Sequence, residues 1–331
     1  MNKNNHFGNT ANTTITECAN DTSIYTLAQL PTNLKKGLTP LQKRARSKWF
    51  SQQIVNELQQ IPGSPLKEYY ENASKCNCLL KQNNNKITAK YCNTRVCNTC
   101  NRIRTAKLMN GYILQFSQFD RLEFTTLTRP NVKESELRNE VELIIKKASN
   151  IIRILREKRN IDISGIRKIE ITYNAIADTY HPHLHILTNG YGKEIVELWL
   201  KQNPEANIKG QDYREATKES LNELFKYSTK FLDKSSNKAE MDFYVKPLDN
   251  IMIALYKKRT FQPFGKIKKL KENPEDFDNV MELASQEYEE IPNYETAYWL
   301  WNNDCDWEEF ITLELLTNYK KPNYKINIYG T

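Results

Sequence analysis

Between Gly165 and Thr188 the chain sets two apolar-rich runs close together, GIRKIEITYN and PHLHILT, with only a short polar connection between them. A connection that short makes the two strands neighbours, because a parallel return needs a crossover of a dozen or more residues. Ile166, Ile169 and Ile171, then Leu184 and Ile186, supply the apolar positions. The flanking segments extend the pattern. DRLEFTTLTRP reads as a strand closed by Pro130, and residues 133–157 form an amphipathic helix through Leu137, Val141, Ile144, Ile145, Ile151, Ile152 and Leu155. After the strand pair come a helix (GKEIVELWLKQN), an edge strand (NIKGQDYREAT) and a second helix (KESLNELFKYSTKFL). Strands and helices mixed in this order predict an α+β domain with a central, mainly antiparallel sheet flanked by helices.

Around that domain the chain divides by composition. Residues 1–35 are rich in Asn and Thr and read as a flexible segment, 36–75 as helical, 76–105 as a small Cys-rich module, 106–275 as the main domain and 276–331 as a C-terminal helical appendage. With 48 Lys and Arg against 40 Asp and Glu the 331-residue chain carries a net charge of +8, compatible with a polyanionic partner. No hydrophobic leader or membrane span is visible, so a cytoplasmic location and no membrane partner are expected. The seven cysteines are then expected as thiols or metal ligands.

Three of the four histidines fall in YHPHLHIL. On a strand, His183 and His185 share a face and can converge on one divalent metal ion. Glu170 on the preceding strand is the candidate third ligand, with Asp178 the weaker one, and His181 lies in the approach before Pro182. In NELFKYSTKF, Glu223, Tyr227 and Lys230 fall on one helical face with Lys226 alongside. A phenol needs a nearby cation or a polarised electrophile to attack at neutral pH, and a carboxylate can take the proton, so the set suits phosphoryl transfer through a tyrosyl ester. Cys78, Cys92, Cys97 and Cys100 have the spacing of a four-thiolate structural zinc site, with Cys76 the alternative first ligand. The basic runs at 41–48 and 266–271, and Arg95, Arg102, Arg104 and Lys107, are candidate DNA contacts or solvated faces. Trp299, Trp301 and Trp307 read as core, and Cys18 and Cys305 are isolated.

A His-hydrophobic-His strand followed by a Tyr-x-x-Lys helix resembles the HUH endonuclease superfamily. Within it the chain is most similar to plasmid rolling-circle replication initiators that pair one nucleophilic Tyr with a Glu four residues earlier. CNTRVCNTCNRIR, FTTLT, GIRKIEITYN with DTYHPHLHIL, DYREA with NELFKYSTK, and LYKKRTFQPFG resemble that family's segments in the expected order, over about residues 76–270. The resemblance implies an HUH endonuclease fold with His183 and His185 on Mg²⁺ or Mn²⁺, Tyr227 attacking the scissile phosphate, Glu223 activating water in the terminating cleavage, and Lys230 and Lys226 orienting phosphate. Arg259 in the closing segment is a DNA contact on the same ground. It also implies plasmid origin DNA, single-stranded or hairpin-extruded, as substrate, and a host helicase and DNA polymerase as partners. His181 stands where the family commonly has Asn, which leaves zinc at the pair as an alternative metal. A transposase or mobilisation relaxase, or a zinc-containing DNA-binding regulator without catalysis, are the alternative readings.

Overall fold

The structure is a computed structural model that describes residues 38–84, 86–225, 233–234, 240–270, 295–302, 305–322 and 325–330. It opens on α1 (Pro40–Gln59), whose start is fixed by a reciprocal cap: the Thr39 hydroxyl accepts from the Gln42 backbone N–H while the Gln42 side chain accepts from that of Thr39. Next come α2 (Lys67–Ser74), the hairpin β1 (Leu79–Asn83) and β2 (Lys86–Ala89), and α3 (Asn98–Phe116). The main sheet follows with β3 (Glu123–Thr128), α4 (Glu134–Arg153), β4 (Gly165–Asn174), β5 (Thr179–Thr188), α5 (Gly192–Gln202), β6 (Asp212–Glu215) and α6 (Lys218–Phe225). The remainder comprises β7 (Asp233–Lys234), β8 (Glu240–Tyr244), α7 (Val245–Leu255), β9 (Phe261–Phe264), β10 (Thr296–Trp301), β11 (Trp307–Glu309) and β12 (Lys325–Tyr329).

The central sheet is five-stranded and antiparallel, in the order β6-β3-β5-β4-β9, so the histidine strand β5 lies in the middle. One face packs Ile169, Ile171, Leu184 and Ile186 against α4, α5 and α7, where Val141, Ile144, Trp199 and Ile251 are buried. The other packs Phe124, Ile166 and Leu187 against α3 and α6 through Tyr112, Phe116, Leu224 and Phe225. Helices on both faces of an antiparallel sheet make this an α+β fold, as the element order predicts.

Three expectations change. The C-terminal segment is strand, not helix, over its described residues: in β10 Ala297 and Trp299 point inward while Tyr298 and Leu300 point out, a period of two. β10 pairs with β1 at Leu79↔Leu300 through Asn83↔Thr296, so the Cys-rich segment and the C-terminal segment share one sheet, β11-β10-β1-β2. The boundary at 105 also falls inside α3. Finally, the basic run at 41–48 is no surface patch: Arg44, Arg46 and Lys48 are buried. Lys48 Nζ caps the carbonyls of Ser74 and Cys76 at 2.9 and 2.7 Å, and Arg44 bonds Asn77 and Tyr91. These cations satisfy backbone and side-chain acceptors of the cysteine loop.

Among the described residues no helix is long and apolar enough to cross a membrane. Residues 1–35 and Cys18 lie outside the described residues, and Cys305 is buried against the second sheet. Trp307, fully buried, donates from its indole N–H to the Asn77 carbonyl at 2.9 Å and so ties the C-terminal strands to the cysteine loop. Trp307→Ala should cost ~3–5 kcal/mol in urea unfolding, whereas Ile311→Ala, at 83 % exposure, should change stability by less than about 0.5 kcal/mol.

Candidate functional site

Strand pairing builds the metal-competent face. Glu170 lies opposite His183 on β5, Lys168 lies opposite His185, and Thr126 of β3 faces His185 from the other side. Strand alternation then puts Lys168, Glu170, His183 and His185 on one surface, the one beneath α6. Glu170 Oε2 lies 3.2 Å from His183 Nε2 and 3.1 Å from His185 Nε2. Each Nδ1 is engaged elsewhere, that of His183 on the His181 carbonyl at 3.1 Å and that of His185 with the Thr126 hydroxyl at 3.2 Å. Such outer bonds fix ring orientation and leave both Nε2 atoms on the shared side. Cis ligands at about 2.1 Å from an octahedral ion stand about 3.0 Å apart, so the three atoms fit a divalent ion with little movement.

Two groups that sequence reading passed over complete the site. Lys168, with no exposed side-chain surface, places Nζ 2.6 Å from Glu170 Oε1 and 3.0 Å from the Glu223 carbonyl. Its signal was available: Lys168 and Glu170 are two apart on one strand, hence on one face. Burial alone would raise the Glu170 carboxyl, but Lys168 and the two imidazoles outweigh it and hold the group well below the ordinary carboxylate range. Arg214, on edge strand β6, pairs with Glu223 at 3.2 Å and stacks over Phe124, whose ring in turn stacks on His185. A register two strands away brings it in, which no local pattern reveals.

Of the candidate catalytic residues, Glu223 reaches the site, its carboxylate 3.7 Å from His185 Nε2. Lys226, Tyr227 and Lys230 lie outside the described residues, Tyr227 two positions beyond Phe225, where the description of α6 stops. Asp178 is not brought in: it sits at the β4–β5 turn, accepting from the Tyr173 hydroxyl at 2.9 Å and pairing with Lys133. His181 stacks on His183, yet its Nδ1 contacts the Asn131 side chain at 2.7 Å, and it is not in the ligand group. Tyr244, at the end of β8, packs its ring against Tyr173 and Tyr329. Arg259 is exposed, beside Gln262 at the β9 edge of the sheet.

The second metal-competent cluster corrects the cysteine assignment. Sγ atoms of Cys76, Cys92, Cys97 and Cys100 lie within 4.8 Å of one another, with Cys76–Cys100 at 3.5 Å and Cys92–Cys100 at 3.6 Å. Thiolates bound tetrahedrally at about 2.3 Å are about 3.8 Å apart, so the set fits zinc. Cys78 is not in it. Asn77, at φ 59, turns the chain between the two cysteines, and the Cys78 thiol instead meets the Ser74 carbonyl at 3.2 Å and Lys48 Nζ at 3.0 Å. Bonds among the four thiols pull Cys97 and Cys92 down and push Cys76 up, an uneven division of protons that a dication binding four thiolates removes.

Two outcomes follow from this geometry. Cys76→Ser should lose bound zinc by elemental mass spectrometry, whereas Cys78→Ser should keep it. Because folding lowers the Glu170 pKa, the stability that this group contributes is present above the unfolded carboxyl value of about 4.3 and is lost as pH falls through the lower folded value. Glu170→Gln should therefore flatten the acid limb of a stability-against-pH curve measured by urea unfolding.

The chain is similar in sequence to known replication proteins. A family model described as replication protein, Rep_1, matches residues 84–307, more than half of the chain. A protein named Protein rep from Staphylococcus aureus is 33% identical over 176 residues, covering 46% of this chain and 75% of the relative. A Protein rep from Streptococcus pneumoniae serotype 2 is 32% identical over 109 residues, 30% of this chain and 32% of its own length. A third Protein rep, from a Bacillus species, is 29% identical over 128 residues, 34% of this chain and 41% of its own. No solved structure matches the chain. With a family model matched over more than half of its length and a relative 33% identical over three quarters of that relative, the chain is a member of the Rep_1 family of replication proteins.

Proposed function

We propose that this chain initiates plasmid rolling-circle replication by nicking one strand of origin DNA through a tyrosyl ester. The observation that carries the reading is the meeting of Glu170 with both imidazole Nε2 atoms, with the Glu223 carboxylate 3.7 Å from His185. Mg²⁺ or Mn²⁺ is the ion assigned to this set and zinc the ion assigned to the four cysteines. A bound divalent ion supplies Lewis-acid polarisation of a phosphoryl oxygen.

The chain's own groups do the rest. Tyr227 Oη attacks the scissile phosphorus, the bond from phosphorus to the 3′ oxygen breaks, and the 5′ phosphate stays on the tyrosine while a 3′-OH is left to prime synthesis. Lys230 and Lys226 orient the phosphate and favour the phenolate. The reaction ends by hydrolysis, in which Glu223 takes a proton from water that attacks the tyrosyl ester and releases Tyr227, or by strand transfer, in which a DNA 3′-OH attacks the same ester and releases Tyr227. Arg214, paired with Glu223 at 3.2 Å, keeps that carboxylate aimed. Arg259 contacts the DNA backbone, and a host helicase and polymerase extend the product. A three-histidine relaxase site gains no support, since the metal-competent group comprises Glu170, His183 and His185 without His181.

With a labelled single-stranded origin oligonucleotide and Mn²⁺, Tyr227→Phe should form no covalent adduct on a denaturing gel. An undiminished adduct would move the nucleophile elsewhere, Tyr244 first. Glu223→Gln should keep the initial adduct while its hydrolysis slows by about 10²–10⁴-fold, the usual range for a lost general base.

A further inference from the structure

A cleft of about 600 Å³ opens between α3 and residues 256–270, on the edge of the molecule marked by β9. Eight Lys and Arg residues line it and, among the described lining residues, no Asp or Glu. The whole chain carries 48 basic against 40 acidic residues, so this is segregation of charge and not composition. Two of the eight build the wall: Arg95 bonds the Leu255 carbonyl at 2.5 Å and that of Lys258, while Lys258 Nζ pairs with Glu142. Lys257, Arg259 and Lys269 are exposed at its rim.

Aromatic rings interleave with these cations. Tyr256 is 44% exposed, edge-on to Tyr69 at 6.2 Å, with Lys257 Nζ 5.3 Å from its ring centre. Half-buried Phe261 and Phe264 line the same cleft. Cations alone hold any polyanion, but cations beside ring faces suit a strand whose bases are unpaired and free to stack. A duplex keeps its bases turned inward and would use only the charges. Phe261 lies between the cleft and the metal-competent face: it stacks on Phe225 of α6 at 6.3 Å, and Lys168 Nζ, which bonds Glu170, lies 5.8 Å from its ring centre.

We infer that this cleft is a binding site for single-stranded DNA, holding the backbone of the strand next to the cleavage position by its phosphates and one or more bases on its rings. The identity of the strand rests on the nicking reading; binding by the cleft does not.

The test uses the full chain carrying Tyr227→Phe, so that nothing is cleaved, and a short fluorescent oligothymidylate, alone and paired with its complement, with anisotropy read over a salt series. Replacing Lys257, Arg259 and Lys269 together by Gln should weaken single-strand binding at least tenfold and lower the log–log salt slope by about 2, near 0.7 per phosphate contact. Lys269→Gln alone, outside any helix or strand, should carry about a third of that slope change. A control removing the same charge from exposed positions of α4 and the turn after it (Lys146, Arg153 and Arg156 to Gln) should change binding less than twofold. Equal loss in both triple variants, an unchanged slope, or a loss confined to the duplex overturns the inference. Adduct formation by the chain with Tyr227 intact is read separately. An adduct without a cleft effect removes only the cleft, and a cleft effect without an adduct removes only the nicking reading.

Discussion

The buried ion pair between Lys168 and Glu170 is the contact on which the candidate site depends. Both lie on β4, two residues apart, and face α6. The ammonium draws one carboxylate oxygen to itself and leaves the other between the two imidazoles. It also donates to the Glu223 carbonyl, so one buried cation locates the third ligand and the helix that carries the candidate base. A buried charge without a partner is costly, which ties the Lys168 and Glu170 identities to each other. Lys168 also offsets the negative charge of Glu170, leaving a face whose donors are arranged before any ion arrives.

The second dependence is on the cysteine loop. Cys97 caps α3 and Cys100 sits in its first turn, so the four sulfurs fix where that helix starts. The same helix carries Tyr112 and Phe116 under the metal-competent face. Buried Lys48 and Arg44 close the loop from α1, and Trp307 closes it from the C-terminal strands. The cysteine loop is thus tied to two distant parts of the chain by buried hydrogen bonds as well as by the apolar cluster of Leu41, Leu80, Trp299 and Trp307.

Sequence revealed the strand face well and the rest unevenly. His183, His185 and Glu170 were legible because strand period is two and the β4–β5 connection leaves one pairing. Cys76 against Cys78 was not, since the decision rests on the left-handed backbone at Asn77, which reverses the side-chain direction. The C-terminal strands were hidden by their acidic and aromatic composition, although the inward Ala297 and Trp299 keep the period. Arg44, Arg46 and Lys48 looked like a solvated patch because sequence shows charge and not the acceptors that a cation meets. Arg214 arrives through sheet order, which is a long-range property.

The central claim is that Glu170, His183 and His185 form one divalent-ion site. Its most direct test is Mn²⁺ binding followed by electron paramagnetic resonance on chain of constant zinc content. One Mn²⁺ per chain is expected, lost in His185→Ala with zinc unchanged. Equal Mn²⁺ binding by the two chains would contradict it.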